Sequence, residues 1–371
     1  MAGTASRASR RAFVASALAA LKLAAQSQKG TAFPPEWLRY EDPTTEMEVV
    51  RLTDSAYSSA LPAYYNRAVM RNNASLICGI DRTGQPQAFR IDLKTGEARQ
   101  LTEVAELDVA SLALSPDSHS FCCFAGRSLL HVMLGTLRQR EIYRIPDGWE
   151  RCPGMSLTPD GAHALFAERR SEGSRLRAVS VAQGIFRTVI EARFAIEHPL
   201  ARPGRDQILY REAGEALWLV DSGGANNRRL ELAPGRIGSA LWSQDGKNVQ
   251  YLNLPDDPAQ LHAIREFSPD AAADRLVAKT SQFACFGANR DSSVFVGASA
   301  NRSSPTILLL LRVTRREFTL CEHKASNPET VAPVFSPDSQ RVLFQSDRDG
   351  HPAIYSVHVD KLVEPTDAEI G

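Results

Sequence analysis

Seven times along this chain an apolar stretch runs into a short turn rich in Pro, Asp, Asn or Gly and out into a second apolar stretch. The clearest copies are Leu114-Ser115-Pro116-Asp117, Leu157-Thr158-Pro159-Asp160-Gly161, Leu241-Trp242-Ser243-Gln244-Asp245-Gly246 and Phe335-Ser336-Pro337-Asp338. Weaker ones are Met70-Arg71-Asn72-Asn73, Ala201-Arg202-Pro203-Gly204 and Ala288-Asn289-Arg290-Asp291. Marked at Asn73, Asp117, Asp160, Gly204, Asp245, Asp291 and Asp338, they lie 44, 43, 44, 41, 46 and 47 residues apart. A near-constant period of this size marks one supersecondary unit repeated along the chain. Each unit reads as four short strands, because alternating apolar residues are bounded by turn residues. In the first, Ser75-Leu76-Ile77-Cys78, Ala88-Phe89-Arg90-Ile91-Asp92 and Ala98-Arg99-Gln100-Leu101-Thr102 are separated by Asp81-Arg82-Thr83-Gly84 and Lys94-Thr95-Gly96. The pattern predicts an all-β, seven-bladed β-propeller with four-stranded blades. The last unit ends before its fourth strand. Val49-Val50-Arg51-Leu52-Thr53 resembles Arg99-Gln100-Leu101-Thr102, so the N-terminal strand is expected to complete the last blade and close the ring, leaving no open sheet edge.

The first 27 residues stand apart from the repeat. They hold Arg7, Arg10, Arg11 and Lys22, no acidic residue, and an Ala/Leu/Val run from Phe13 to Ala25. That is the layout of a secretory signal peptide, with a disordered basic tail as the alternative. Ser9-Arg10-Arg11-Ala12-Phe13-Val14 matches the twin-arginine export pattern of bacteria, which implies a periplasmic or secreted protein. The run is too short for a membrane anchor. The organisation expected is therefore a signal peptide over 1–27, a linker over 28–47, the propeller over 48–361 and a tail over 362–371. The six cysteines form no C-x-x-C pair and read as buried apolar residues.

The whole chain balances 43 Lys and Arg against 43 Asp and Glu. A nucleic-acid partner is not expected without a cationic excess. Without the four basic residues of the signal, 39 face 43, a formal charge of −4. An acidic ligand would then need a localised cationic patch. The residues leading into the innermost strands and the loops between second and third strands share one face of a propeller, here called upper. Tyr64, Tyr65, Asn66 and Arg67 lead into the first blade, Arg236 into the fifth, and His198 is the one histidine among the eight in such a place. Arg82, Arg127, Arg169 with Arg170, Arg211, Arg302 and Arg348 fall in the second set of loops in every blade but the fifth. Two readings stand for these arginines: a ring that matches carboxylates with guanidinium forks, or local staples such as Asp81-Arg82 and Asp347-Arg348-Asp349. His198 likewise reads as a proton acceptor or as a core residue bonded to backbone.

Phe335-Ser336-Pro337-Asp338 with Ser346-Asp347-Arg348-Asp349-Gly350 resembles the blades of TolB-type propellers, which serve many functions. Arg51-Leu52-Thr53, Tyr64-Tyr65, Phe89-Arg90-Ile91-Asp92-Leu93, His198-Pro199, Tyr210-Arg211-Glu212 and Leu217-Trp218-Leu219 together resemble the oligogalacturonate lyases across residues 34–360. That resemblance implies β-elimination on short acidic pectin oligosaccharides. The C5 proton of a uronate is weakly acidic until its carboxylate is neutralised, so the family uses a divalent cation such as Mn2+, arginine and a histidine base. Carried over by resemblance, His198 is the catalytic histidine and Arg211 stands where a His-Glu-Gly motif begins. The family's His-x-His metal pair falls on Thr330 and Ala332, and a further metal histidine falls near Cys285. No metal-ligand set is therefore assigned, and His323 is a weak match to another family histidine. Arg67 or Arg211 would neutralise the carboxylate, with His198 or Tyr65 as base. Tyr64, Asn66, Arg82, Arg127, Arg170, Arg236, Arg302 and Arg348 are the expected substrate contacts. The alternative is a non-catalytic propeller that binds oligouronates or a cell-envelope protein in the manner of TolB.

Overall fold

The structure, a computed structural model, describes residues 27–366. The proposed signal lies outside these residues, apart from Ser27. Seven antiparallel sheets follow one another around the ring. The seven-bladed β-propeller is as the repeat predicts, and the inner strand of each blade descends to the Pro/Asp/Gly turn on the lower face.

Local hydrogen bonds explain why that turn recurs in sequence. Ser115 Oγ donates to Asp117 Oδ1 (2.6 Å) and accepts the Ser120 amide (3.0 Å), while Asp117 Oδ1 accepts the His119 amide (2.9 Å). Thr158 with Asp160, Ser243 with Asp245 and Ser336 with Asp338 repeat this arrangement. A short polar side chain that bonds its own backbone terminates the strand and fixes the hairpin. The Ser115 hydroxyl and the His119 amide hold the Asp117 carboxyl below its ordinary range.

Apolar side chains fill the wedges between neighbouring blades. Phe124 and Phe166, in blades 2 and 3, meet edge to face with centroids 5.0 Å apart. Val296, Ile307 and Leu309 of blade 6 pack on Val342, Phe344 and Tyr355 of blade 7. Burial of this apolar surface is the main stabilising term. All six cysteines are buried and unpaired.

Ring closure follows the sequence reading: Glu48–Arg51 pairs antiparallel with Ala353–His358. Residues 28–47 do more than link. Ala32–Phe33 adds a strand to blade 1 by pairing with Ala98–Gln100, and Leu38–Glu41 adds one to blade 7 beside Glu48–Arg51. Arg82 explains part of this attachment, because its guanidinium pairs with Glu36 (2.5 Å) and lies over the Phe33 ring, 4.5 Å from its centroid.

Blade 1 also departs from the repeat at the axis. Its inner strand consists of Ser59–Ala60 and a single bridge between Val69 and Leu76. Between them the chain leaves the sheet. The Ala63 amide bonds the Ala110 carbonyl of blade 2, Asn66 donates to Met155 O of blade 3 (2.9 Å), and Tyr65 reaches His198 of blade 4. Tyr64 Oη donates to Ala240 O of blade 5 (3.0 Å) and accepts its amide (2.9 Å). A segment from one blade can bond to four others around the ring only by crossing the axis. Residues 61–67 therefore plug the channel and divide it into an upper and a lower mouth.

Candidate functional site

The upper side of the plug holds the most chemically distinctive group. His198 follows the start of its inner strand, Ile196–Ala201, where the register with the second strand slips between Glu197 and Leu200. Its φ of +47° belongs to the left-handed region, uncommon for a residue with a side chain. Gly154 makes room for it. A Cβ on Gly154, whose own φ is +93°, would lie 2.6 Å from His198 Cα and 2.8 Å from His198 N. Gly154→Ala should therefore lower thermal stability by about 1–3 kcal/mol and shift the imidazole, read by calorimetry alongside the turnover assay described below.

Tyr65 Oη and His198 Nδ1 are 3.0 Å apart, and the two rings meet edge on. No described residue hydrogen-bonds His198 Nε2. Burial and then the charge of Arg211 lower the imidazole pKa to about 4, so the ring is neutral at neutral pH. Arg211 sits within the strand Gln207–Glu212, in register with Glu197, rather than in the loop beyond it. Its Nη2 donates to the Gly238 carbonyl in the bulge of the blade 5 inner strand. His198, Tyr65 and Arg211 thus come together above the plug.

Tyr65 cannot serve as the base expected of it. Burial, with Tyr64 and Asp108 adding to it, pushes its phenol well above the ordinary tyrosine range, and Arg151 opposes this only in part. It keeps its proton and acts as the partner of His198. The ion pair between Arg151 and Asp108 (2.6 Å) beside it was not among the expected site residues. Arg151 preceded Cys152-Pro153-Gly154 in sequence, but nothing local distinguished it from a surface arginine.

Arg67 lies elsewhere. Its Nη2 donates to Ser115 O (2.5 Å), Pro116 O and Ser118 Oγ (both 3.2 Å), at the lower turn of blade 2. Asn66 is buried and spends its amide on Met155 O, and Tyr64 is held on both sides by Ala240, so these two build the plug. The expected arginine ring resolves mostly into staples. Arg82 pairs with Glu36, and Arg348 donates to Tyr40 Oη and Glu322 O (both 2.9 Å). Arg236 and Arg302 are exposed with no polar partner among the described residues. Arg127 and Arg170 do converge, lining with Arg169 and Trp149 a second cavity of about 490 Å3 on the upper rim. There Arg170 lies over the Trp149 ring at 4.8 Å, paired with Glu172 (2.9 Å), and Arg127 bonds Ile145 O and reaches Asp147 (3.3 Å).

The positions where the resemblance would put metal ligands are also brought together. Cys285 Sγ donates to Pro328 O (3.4 Å), at the start of the 3-10 turn Pro328–Thr330, with Ala332 just beyond it. Their chemistry does not fit a transition-metal cation. The Cys285 thiol is buried and held up at about 12, the Thr330 hydroxyl donates to Asn327 O (2.8 Å), and the Ala332 side chain has no ligand atom. His323 is fully buried, with Nδ1 accepting the Ala325 amide (3.0 Å) and Nε2 on Ser299 O (3.1 Å), so neither nitrogen is available. Among the described residues no three His, Cys, Asp or Glu side chains gather as a ligand set. No helix among them is long and apolar enough to cross a membrane.

A sequence profile described as oligogalacturonate lyase matches residues 27–158. The oligogalacturonide lyase of Pectobacterium atrosepticum is 25% identical over 90% of this chain and 99% of its own length. The oligogalacturonate lyase of Dickeya dadantii is 24% identical over 87% and 96% respectively. Two solved structures, an oligogalacturonate lyase in complex with manganese and one from Vibrio parahaemolyticus, superpose with a TM-score of 0.84. Each is 22% identical and covers 89% of this chain and 98% of its own. The chain is thus similar to oligogalacturonate lyases over nearly the full length of both chains, and it shares the fold of the two solved ones.

Proposed function

We propose that the protein cleaves short oligogalacturonates by β-elimination at the upper mouth, with His198 as base and Arg211 neutralising the uronate carboxylate. The observation that carries this is the neutral, partly exposed His198 with a free Nε2, placed beside the Arg211 guanidinium above a closed floor. Tyr65, which stays protonated, fixes the imidazole through Nδ1. In the tautomer whose Nδ1–H is donated to Tyr65 Oη, Nε2 carries the lone pair.

The step balances as follows. Nε2 takes the C5 proton, the C5–H pair becomes the C4=C5 double bond, and the C4–O bond breaks. The leaving oxygen takes up a proton, from the imidazolium or from water. Arg211 stabilises charge that spreads onto the carboxylate as C5 loses its proton. Because the side chains near Thr330 do not supply metal ligands, the cation's part falls to Arg211 in this reading. Export through the twin-arginine signal would place the reaction outside the cytoplasm.

Incubation with tri- or tetragalacturonate should produce the ultraviolet absorbance of an unsaturated uronide. The rate should persist in EDTA and rise little with added manganese. Saturable binding without absorbance, with or without manganese, would instead identify a non-catalytic oligouronate-binding propeller. Strict dependence on added manganese would refute the role given to Arg211.

A further inference from the structure

We propose that Tyr64 is a positioning residue for Arg211: its hydroxyl clamps the inner strand of blade 5 beside a bulge, and the bulge aims the guanidinium at the upper mouth. The inference rests on the part given to Arg211 in elimination. Among the described residues the guanidinium has one hydrogen bond, from Nη2 to Gly238 O, so its direction follows that carbonyl. Gly238 lies in the strand Arg236–Trp242, where the register with Val249–Leu254 slips. Ile237 stands opposite Asn253 and Ala240 opposite Tyr251, which leaves Gly238 and Ser239 facing Leu252 alone. Such a bulge disrupts the ladder locally, so its course depends on what holds its ends.

The Tyr64 hydroxyl holds one end. It donates to Ala240 O (3.0 Å) and accepts the Ala240 amide (2.9 Å). Ala240 is buried, so both groups need a partner within the protein. Burial raises the Tyr64 phenol pKa, which keeps the donated proton in place, and the Arg211 charge is the largest influence against that rise. The guanidinium thus stands near enough for its field to reach the clamp. Tyr65, next in the chain, meets Tyr64 edge to face with centroids 5.0 Å apart and bonds His198. Two consecutive plug residues therefore serve the base and the cation of one site, Tyr65 directly and Tyr64 through the bulge.

Tyr64→Phe keeps the ring against Tyr65 and removes only the clamping oxygen, and circular dichroism should report an unchanged fold. Its kcat on trigalacturonate should fall about tenfold or more, because small displacements of a positioned group have effects of that size. In Arg211→Ala protein the same change should cost less than about twofold, since Tyr64 then has nothing left to aim. Equal losses in the two backgrounds would make Tyr64 a support of the plug alone and overturn the proposal, as would a variant as active as the parent. A readout without turnover is the titration of the His198 imidazole by NMR. Around it stand Tyr65, Arg211, Glu197 and, beyond Tyr65, the Arg151–Asp108 pair, and among the described residues only Arg211 of these bonds the bulge. A guanidinium released to solvent is screened, so the imidazole should titrate at higher pH in Tyr64→Phe than in the parent, with no further rise when Tyr64→Phe is added to Arg211→Ala. That shift in a protein without lyase activity would sustain the clamp while the reading of the upper mouth as an eliminating site fails. An unmoved titration would overturn the clamp. Should Tyr64→Phe not fold, Gly238→Ala displaces the bulge with the clamp in place, because its Cβ would lie 3.1 Å from Leu252 Cβ and Cδ2. It should raise the His198 titration in the same way, and a titration unmoved there would also overturn the proposal.

Discussion

Replacement of His198 by Ala is expected to slow elimination by about a hundred- to ten-thousandfold, the share usually carried by a positioned proton acceptor. The same change should leave the fold intact, because among the described residues the imidazole makes one hydrogen bond, to Tyr65. Circular dichroism and thermal unfolding would check this. The pH dependence gives a sharper reading. In the ligand-free protein the imidazole pKa is lowered to about 4, below the ordinary 6.5, so the basic form persists well into mildly acid solution. kcat/KM should therefore stay level down to about pH 5 and fall only as pH approaches 4. Bound substrate changes this limb in a definite direction. A uronate carboxylate beside Arg211 offsets that cation and raises the basicity of His198, so the acid limb of kcat should lie at higher pH than that of kcat/KM. Stability carries the opposite face of the same linkage. The unfolded imidazole binds its proton near pH 6.5 and the folded one near 4, so His198 destabilises the fold progressively as pH falls through that window. His198→Ala should remove this contribution, visible as a smaller loss of Tm between pH 6.5 and 4. An acid limb near 6.5 for kcat/KM, or a variant as active as the parent, would contradict the assignment.

What could be read from sequence divides along the range of the interactions. The blade turns are legible because Ser115, Asp117 and Ser120 bond within five residues of one another, so their chemistry must recur with the repeat. Ring closure is legible because the missing strand leaves a gap that a similar segment fills. His198 stands out because its place in the repeat is distinctive. The arginines were ambiguous for the converse reason. Arg82 finds Glu36 and Arg348 finds Tyr40 only after the ring closes, and guanidinium groups serve staples and ligands equally well. The plug could not be seen. Tyr64 and Tyr65 look like a run leading into an inner strand, yet their hydroxyls bond residues 176 and 133 positions away. That displacement carries Arg67 down to the lower mouth, away from the histidine with which sequence order had grouped it.

Arg211 separates electrostatic catalysis from mere support more cleanly than any other residue of the upper mouth. Arg211→Ala should lower kcat by about a hundred- to thousandfold, since loss of one preorganised charge at a developing anion has effects of that size. A structural role alone could also reduce the rate, because Arg211 bonds the Gly238 carbonyl and holds the blade 5 bulge. The pH profile distinguishes them. Desolvation is the larger cause of the low His198 pKa and Arg211 the smaller, so removing the cation should move the acid limb of kcat/KM upward from about 4, part of the way to 6.5. A displaced bulge with no change in the field at His198 would leave the limb where it is. Arg211→Lys sharpens the comparison. It keeps the charge and therefore the low limb, but loses the planar fork that can hold a carboxylate and the Gly238 carbonyl at once, so its kcat should fall less than that of Arg211→Ala. If both variants lost activity equally with an unmoved limb, Arg211 would be a support for the bulge, and the uronate carboxylate would have to be neutralised by some other cation.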